Sequence, residues 1–237
     1  QDYLGANAAL LDGVLGRNGN GSGSSDAWTF HMWYKPDNFS SGQVLFYFGD
    51  SDVINGGHIE IRTTTSGKLR FSYGSSNNYI RRTTTNQAFT AGNWYNIIIT
   101  YNGGTTGASS ADVSDYYSRF NIYINGTAPS LVNAHGNYGW SGQIDSENLR
   151  VGRYASGNYI SGGRVDEVAV WDSNQNSNVS DIYNSGTTHD LSQLTTSPTH
   201  WWRMGDGDTY STIQDNVGSA HFVMYNMTAA NIVTDAP

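Results

Sequence analysis

The sequence predicts an all-β fold, a single sandwich of two antiparallel sheets. Short runs rich in Trp, Tyr, Phe, Ile and Val recur along the chain, and turns rich in Gly and Asn separate them. Only residues 178–186 have a helical pattern, which spans two turns at most. Many short strands with almost no helix are typical of sandwiches and jelly rolls, so we expect roughly twelve to fourteen strands.

The predicted strands begin with residues 28–34, which end at the turn Lys35-Pro36-Asp37. Residues 58–62 and 68–73 alternate apolar and polar side chains, and Ser66-Gly67 between them predicts a hairpin turn. The remaining strand-like runs are residues 44–48, 93–101, 119–124, 149–152, 163–171, 199–204 and 221–225.

The composition limits the possible partners. The chain has 237 residues and no Cys, which excludes disulfides, thiolate catalysis and cysteine-based zinc sites. The net charge is −8, from 12 basic and 20 acidic residues, and no basic cluster extends beyond Arg81-Arg82. Nucleic acid is therefore a poor candidate partner, because binding it requires a basic surface. No apolar run is long enough for a spanning helix, so we expect no membrane insertion.

Four segments resemble, in order, the strands of laminin-G-like, concanavalin-A-type jelly-roll domains. They are residues 27–36 with an aromatic-x-Lys-Pro ending, 89–97 with Gly-x-Trp before an apolar run, 120–126 ending in Asn-Gly, and 163–171 with Gly-x-Val-Asp-Glu-Val-x-Val-Trp. The resemblance implies one such jelly-roll domain over residues 1–237. Its family motifs lie within 27–186, and residues 187–237 supply the C-terminal strands that complete the sandwich. The tail is similar, more loosely, to such domains in marine phage and viral structural proteins.

The sequence does not favour catalysis. Retaining glycosidases hold two carboxylates about 5 Å apart, which alternate positions on one strand would achieve. No such pattern occurs, and the adjacent Asp166 and Glu167 should point to opposite faces of a regular strand. Jelly-roll polysaccharide lyases use an Arg-rich strand, a Gln-x-His strand and a Tyr-rich strand. Arg62 and Tyr73 are present here, but Gln-x-His is not.

We therefore expect a non-catalytic module of an exterior surface or of a phage or virus particle, which binds a glycan, a receptor or another surface protein. A purely structural particle protein, such as a capsid decoration or tail appendage, is the alternative. The fold alone does not choose among these classes. A glycoside hydrolase or polysaccharide lyase is less favoured, because the sequence lacks a suitable carboxylate pair and its histidines are dispersed. The expected location is extracellular or on a virion surface, and the oligomeric state stays open.

Calcium is the one cofactor that we expect, in a structural role. It takes about six to eight oxygen ligands, often from loop carbonyls and one or two carboxylates. The resemblance implies an ion held by the Asp of the Asp-Glu-Val strand and by early loops. Asp166 matches that Asp, and Asp12 and Gly49 are its neighbours by chain order. The alternative is that Asp166 pairs with Arg164 or Arg153.

Two other sets of polar residues are expected to be structural. Asp206, Asp208 and Asp215 have the acidic density of a calcium loop but lack EF-hand spacing, which favours a solvated turn. The six His are scattered without the spacing of a transition-metal site, so we expect them at the surface or on edge strands.

Aromatic rings between glycines are the candidate ligand contacts. Tyr138 and Trp140 lie in the Gly-flanked residues 136–142, and Tyr154 and Tyr159 border a similar segment. Rings on loops are common contacts for sugars and protein partners, although packing onto the sandwich is the alternative. The net charge of −8 predicts a neutral polysaccharide or a polar protein partner rather than an anionic polymer.

Overall fold

Two antiparallel sheets form the protein. The computed structural model describes residues 2–11, 14–15, 27–50, 57–74, 79–103, 117–136, 144, 148–154 and 162–237. These contain fourteen strands, which confirms the predicted all-β sandwich and its expected strand number. The strands are β1 (Tyr3–Ala6), β2 (Trp28–Pro36), β3 (Val44–Gly49), β4 (His58–Thr63), β5 (Leu69–Gly74), β6 (Tyr79–Thr84), β7 (Tyr95–Tyr101), β8 (Phe120–Ile124), β9 (Leu131–His135), β10 (Asn148–Val151), β11 (Gly163–Trp171), β12 (His200–Trp202), β13 (Thr212–Ile213) and β14 (Phe222–Tyr225).

The two sheets differ in size. The larger has nine strands in the order β13-β14-β1-β10-β3-β4-β5-β6-β9, and the smaller has five in the order β12-β11-β2-β7-β8. The N-terminal strand β1 pairs with β10 and β14, so the two ends of the chain meet in the nine-stranded sheet. This pairing gives residues after 187 their place in the sandwich.

An aromatic cluster joins the sheets. Trp28 on β2 is fully buried, and its ring lies 5.7–6.3 Å from four other rings. Phe71 and Tyr73 come from β5 of the nine-stranded sheet, whereas Tyr101 and Phe120 come from β7 and β8 of the five-stranded sheet. Trp28 therefore contacts both layers at once.

The five-stranded sheet is buried on its outer face as well. The short helix α1 (Val179–Tyr183) lies where the sequence predicted a helix, with 3-10 turns on both sides. A second apolar cluster covers this face and consists of Ile98, Ala169, Trp171, Val179, Ile182, Leu191 and Trp201. The 3-10 turns of the described chain are Ala8–Leu11, Asn176–Asn178, Asn184–Gly186, Leu191–Gln193 and Ala229–Asn231. The outer face of the five-stranded sheet is therefore covered by the chain itself at these positions.

Two histidines are buried. His31 lies on the central strand β2, with its Nε2 2.7 Å from Asn96 Nδ2, and burial lowers its pKa to about 3. The expectation of a surface or edge position is wrong for His31, because both faces of β2 are covered. His200 does lie on an edge strand, β12, although its side chain is buried.

No helix in the described ranges combines the length and the apolar character that crossing a bilayer demands.

Candidate functional site

The outer face of the nine-stranded sheet carries a row of polar side chains. Cross-strand neighbours share a face of a sheet, and successive residues alternate between faces. The row crosses five strands through directly paired residues, namely Arg150, Tyr47, Glu60, Ser72 and Arg81. Their neighbours along the strands belong mostly to the core, so this row points away from it.

Two shorter rows lie beside the first. On one side, Arg62 is paired directly with Arg70, and on the other side His58 and Tyr79 are both paired with Gly74. We call the whole surface the Arg–Tyr face, defined by Tyr47, His58, Glu60, Arg62, Arg70, Ser72, Tyr79, Arg81, Arg150 and Tyr154. Its members come from β3, β4, β5, β6 and β10 and from the residues just after β10.

Three rings form one corner of the Arg–Tyr face. The ring of Tyr47 stacks on His58 with 5.3 Å between centroids, and Tyr154 meets the Tyr47 ring edge-on at 4.8 Å. Burial, together with the positive charge of Arg81, lowers the pKa of His58 to about 4. His58 is therefore neutral at pH 7. Tyr154 is half-buried, so this sequence-predicted ligand contact lies at the edge of the corner.

A buried carboxylate lies among three guanidinium groups in the centre. Glu60 is 5% exposed, and its Oε1 accepts a hydrogen bond from Arg62 Nη1 at 3.2 Å. Burial raises the pKa of Glu60, while the charges of Arg62, Arg70 and Arg81 oppose that rise. Arg81 Nε donates to Ser72 Oγ at 3.3 Å. The centre thus holds more positive than negative charge.

Two of these arginines each have a buried side-chain nitrogen without a hydrogen-bond partner among the described residues. The Nε atoms of Arg62 and Arg70 are inaccessible to solvent and have no hydrogen-bond partner within the described ranges. Burial lowers the pKa of the Arg70 guanidinium, and the positive charges of Arg81 and Arg62 lower it further. Such unpaired, like-charged donors are costly unless an acceptor reaches them.

A ring platform extends the face toward the chain ends. Tyr3 on β1 and Tyr225 on β14 are paired and stack with 4.8 Å between centroids and 10° between planes. The guanidinium carbon of Arg153 lies 4.6 Å from the Tyr3 ring, and that of Arg150 lies 5.7 Å from it. Tyr225 is 43% exposed and can receive a flat ligand. No local sequence pattern indicates this platform, because its two rings are more than 200 positions apart.

Most of the other residues that the sequence predicted as ligand or calcium contacts lie outside the described part of the chain. Tyr138, Trp140, Tyr159 and Asp12 lie outside the described residues. Gly49 ends β3, opposite both Asn148 and His58. Its φ is 125°, and an added Cβ would lie 2.4 Å from the carbonyl oxygen of Gly57, so the backbone itself requires Gly here.

Asp166 lies in the other sheet, on β11. It borders a cavity of about 600 Å³ with Arg203, Asp206 and apolar residues such as Met224. Burial, and then the negative charge of Glu167, raise the pKa of Asp166 to about 7. Asp166 lies on β11 of the five-stranded sheet, Gly49 ends β3 of the nine-stranded sheet, and Gly49 does not line the cavity that Asp166 borders.

A bulge in β11 corrects the expected orientation of the two adjacent carboxylates. Asp166 pairs with Trp33 and Ala169 pairs with His31. Between these pairs, β11 has two residues where β2 has one, which defines a β-bulge. Glu167 has a φ of 49°, and its N–H donates to Asp166 Oδ1 at 2.9 Å. The strict alternation that predicted opposite faces therefore does not apply here.

Glu167 has structural partners of its own. Its side chain accepts hydrogen bonds from Trp201 Nε1 at 2.5 Å and from Arg203 Nε at 3.5 Å. Burial raises the pKa of Glu167, while these two donors lower it. This carboxylate anchors β12 and the residue after it to the bulge.

The second acidic set forms hydrogen-bonded turns. Asp206 pairs with Arg203 at 2.5 Å, and Asp208 accepts from the backbone N–H groups of Gly205 and Gln214. Asp215 is buried, so the interpretation as a solvated turn is wrong for this residue.

The calcium site stays a prediction. Within the described ranges, no group of three or more His, Asp or Glu side chains is arranged to hold a metal ion. The described residues alone do not form such a site.

If calcium binds at Asp166, removing it should lower the melting temperature, because an ion that binds only the folded state stabilises that state by mass action. The measurement is a thermal melt in excess chelator, with and without added Ca²⁺. Asp166→Asn should abolish the chelator effect, and Asp208→Asn, in the hydrogen-bonded turn, should preserve it. A melting curve that the chelator leaves unchanged in the unsubstituted protein would contradict calcium binding.

Comparison with known proteins gives a family match. Residues 15–179 match a laminin-G family model described as the concanavalin A-like lectin/glucanases superfamily. This match confirms the resemblance found in the sequence. A search of curated protein sequences finds no significant match.

Solved structures share the fold at low sequence identity. A candidate carbohydrate-binding protein from Bacteroides ovatus is 16% identical, with a TM-score of 0.59 over 96% of this chain and 57% of that chain. The chain thus spans just over half the length of that protein. A heptameric SAP-like pentraxin from Limulus polyphemus is 15% identical, with a TM-score of 0.49 over 95% of this chain and 86% of that one. Domain 4 of an extracellular arabinanase from Geobacillus stearothermophilus, solved with arabinotriose, is 17% identical, with a TM-score of 0.45 over 73% of this chain and 74% of that one.

Proposed function

The chain belongs to the concanavalin A-like lectin/glucanases superfamily, and from this premise we propose that it is a non-catalytic module that binds a carbohydrate on the Arg–Tyr face. The observation that carries the proposal is the combination on one sheet face of aromatic rings with hydrogen-bond donors. The rings offer surfaces for the C–H faces of a sugar, and guanidinium groups donate to its oxygens in a fixed geometry. The Bacteroides ovatus protein is a candidate carbohydrate binder, and extending that class to this chain is part of the proposal.

Two parts of the surface have different tasks in this proposal. The stacked rings of Tyr3 and Tyr225 supply an exposed platform at one side. The Tyr154 ring and the arginines beside Glu60 supply an edge and polar contacts further along the same sheet. A sugar chain of several residues could contact both parts, because the strands between them, β10 and β3, are about 4.8 Å apart.

The absence of catalysis is part of the proposal. Hydrolysis of a glycosidic bond ordinarily needs two carboxylates across the bond. Within the described residues of β3, β4, β5, β6 and β10, Glu60 is the only carboxylate. The two adjacent carboxylates Asp166 and Glu167 lie on β11 in the other sheet.

We place this module on an exterior surface, either of a phage or virus particle or of a secreted protein. The support is the family match together with the looser likeness of the tail to such domains in phage and viral structural proteins. A purely structural particle protein is the competing proposal. An assembled particle in which the Arg–Tyr face forms a fixed contact between copies would favour that competitor.

The proposed function is tested by measuring ligand affinity in variants that each lack one aromatic ring. Screening on a glycan array should identify a bound oligosaccharide, and calorimetry should then show a roughly three- to tenfold weaker affinity for Tyr225→Ala and for Tyr154→Ala. Trp94→Ala is the matched control, because this half-buried ring contacts Lys35 and Asp235 beside the five-stranded sheet. Its affinity should stay within about twofold of the unsubstituted protein.

The same experiment can contradict the proposal. A glycan whose affinity falls in Trp94→Ala and not in the other two variants would place the site elsewhere. Cleavage of the bound oligosaccharide on prolonged incubation would show that the protein is an enzyme. If no glycan binds, the structural alternative is favoured.

A further inference from the structure

The charge on the Arg–Tyr face is opposite in sign to that of the whole chain. The chain has a net charge of −8, yet the positive charges of Arg62, Arg70 and Arg81 all act on Glu60, the only acidic residue in the described parts of β3, β4, β5, β6 and β10. Arg150 lies in the same row of the sheet. The expectation of a neutral ligand used the net charge, which does not describe this surface, because clustered charges dominate their own neighbourhood within about one Debye length of 8–10 Å.

From this cluster we infer that the glycan carries an anionic group, a carboxylate or a sulfate, which binds between Arg62, Arg70 and Arg81. The inference rests on the function proposed above and names the class of ligand.

The hydrogen bonds already present show how much of the cluster is unused. Glu60 accepts one bond from Arg62, and its charge balances at most one of the three positive charges. Arg81 uses its Nε on Ser72, and its guanidinium lies 4.4 Å from the Tyr79 ring. The buried Nε of Arg70, by contrast, has no acceptor among the described residues. An oxyanion beside Arg70 would supply that acceptor.

The geometry of the groups suits an oxyanion better than a neutral hydroxyl. A guanidinium presents parallel N–H donors that match the two oxygens of a carboxylate or sulfate, and such charged bonds are about twice as strong as neutral ones. Arg62 and Arg70 are directly opposite on neighbouring strands, so both can reach one group. Glu60 acts as a positioning residue that holds Arg62 in place.

Paired ligands that differ only in charge test the inference. Calorimetry should compare oligogalacturonate with its carboxyl-reduced counterpart, and dextran sulfate with dextran. We expect the acidic member of at least one pair to bind at least about tenfold more tightly, and increasing NaCl to weaken that binding. Whichever pair shows the difference identifies the group as carboxylate or sulfate.

Variants then assign the effect to the cluster. Arg70→Gln should weaken binding of the acidic ligand by about tenfold or more, and Arg70→Lys, which keeps the charge without the planar donors, should weaken it by less. Arg164→Gln removes the same charge from the other sheet, where Arg164 pairs with Asp37 and Asp235, and should change the affinity by less than about twofold. Thermal melts verify folding, and Arg81→Gln replaces Arg70→Gln if the latter does not fold.

The outcomes separate the two proposals. If both members of each pair bind equally well, and if Arg70→Gln does not change their affinity, the anionic ligand is overturned while carbohydrate binding is preserved. If Arg70→Gln and Arg164→Gln weaken binding of the acidic ligand equally, the proposed site between Arg62, Arg70 and Arg81 is also overturned, because the effect is then one of net charge. Failure to bind any glycan, neutral or acidic, contradicts the proposed function itself.

Discussion

Replacing Trp28 with Ala should lower the free energy of unfolding by about 3–5 kcal/mol, as large-to-small changes of buried aromatic residues do. Trp28 is fully buried and contacts rings from both sheets, so its loss leaves a cavity where the layers meet. Urea unfolding followed by far-ultraviolet circular dichroism measures the change.

The matched control is Trp28→Phe. The indole Nε1 of Trp28 is buried without a hydrogen-bond partner among the described residues, so Phe removes an unpaired donor and keeps most of the ring. We expect a loss of only about 1–2 kcal/mol, from the smaller volume. Equal losses for Ala and Phe would show that ring packing between the sheets is not what Trp28 contributes.

Replacing Asp215 with Ala should destabilise the protein by about 3–5 kcal/mol, because buried donors would lose a charged acceptor. The carboxylate accepts hydrogen bonds from His200 Nδ1 and from the backbone N–H groups of Trp201, Val217, Gly218 and Ala220. Asp208→Ala is the control, since that carboxylate also accepts two backbone N–H bonds but is only half-buried, and it should cost about 1 kcal/mol. Similar losses in both variants would contradict a special role for burial.

The pH dependence gives a second readout for Asp215. Burial alone would raise its pKa, but the hydrogen bonds from His200 and the backbone outweigh burial and lower the pKa to about 2. The unfolded value is about 3.9, so this group stabilises the fold fully above about pH 4 and loses its contribution as pH falls toward 2. Unfolding free energies measured from pH 2 to pH 6 should therefore fall less steeply for Asp215→Ala than for the unsubstituted protein.

The strands that the sequence revealed are those with a strong apolar or aromatic pattern. β2, β3, β7 and β11 are buried along most of their length, so nearly every residue contributes to the pattern. β9 is an edge strand whose residues are mostly exposed, and it gave no such signal.

The strand β6 was missed for a reason that bears on function. Its residues Arg81 and Arg82 are adjacent and polar, and they were considered only as a basic pair. In the fold they have different roles. Arg81 lies in the row of the Arg–Tyr face, whereas Arg82 donates to the carbonyl oxygens of Tyr117 and Phe120. An unrecognised strand therefore concealed part of the site.

Local sequence alone determined the fold class, the short helix at residues 179–183 and the family, because alternating burial and turn residues are properties of neighbouring positions. It also predicted Tyr154 as a ligand contact, which stays a prediction, and the structure places this half-buried ring edge-on against Tyr47. Only the tertiary structure decided which polar residues meet. Arg150, Tyr47, Glu60 and Arg81 are separated by up to about a hundred positions and become neighbours through the register of four strand pairs. The local charge was decided in the same way, because a sum over the chain cannot tell which face of a sheet each arginine occupies.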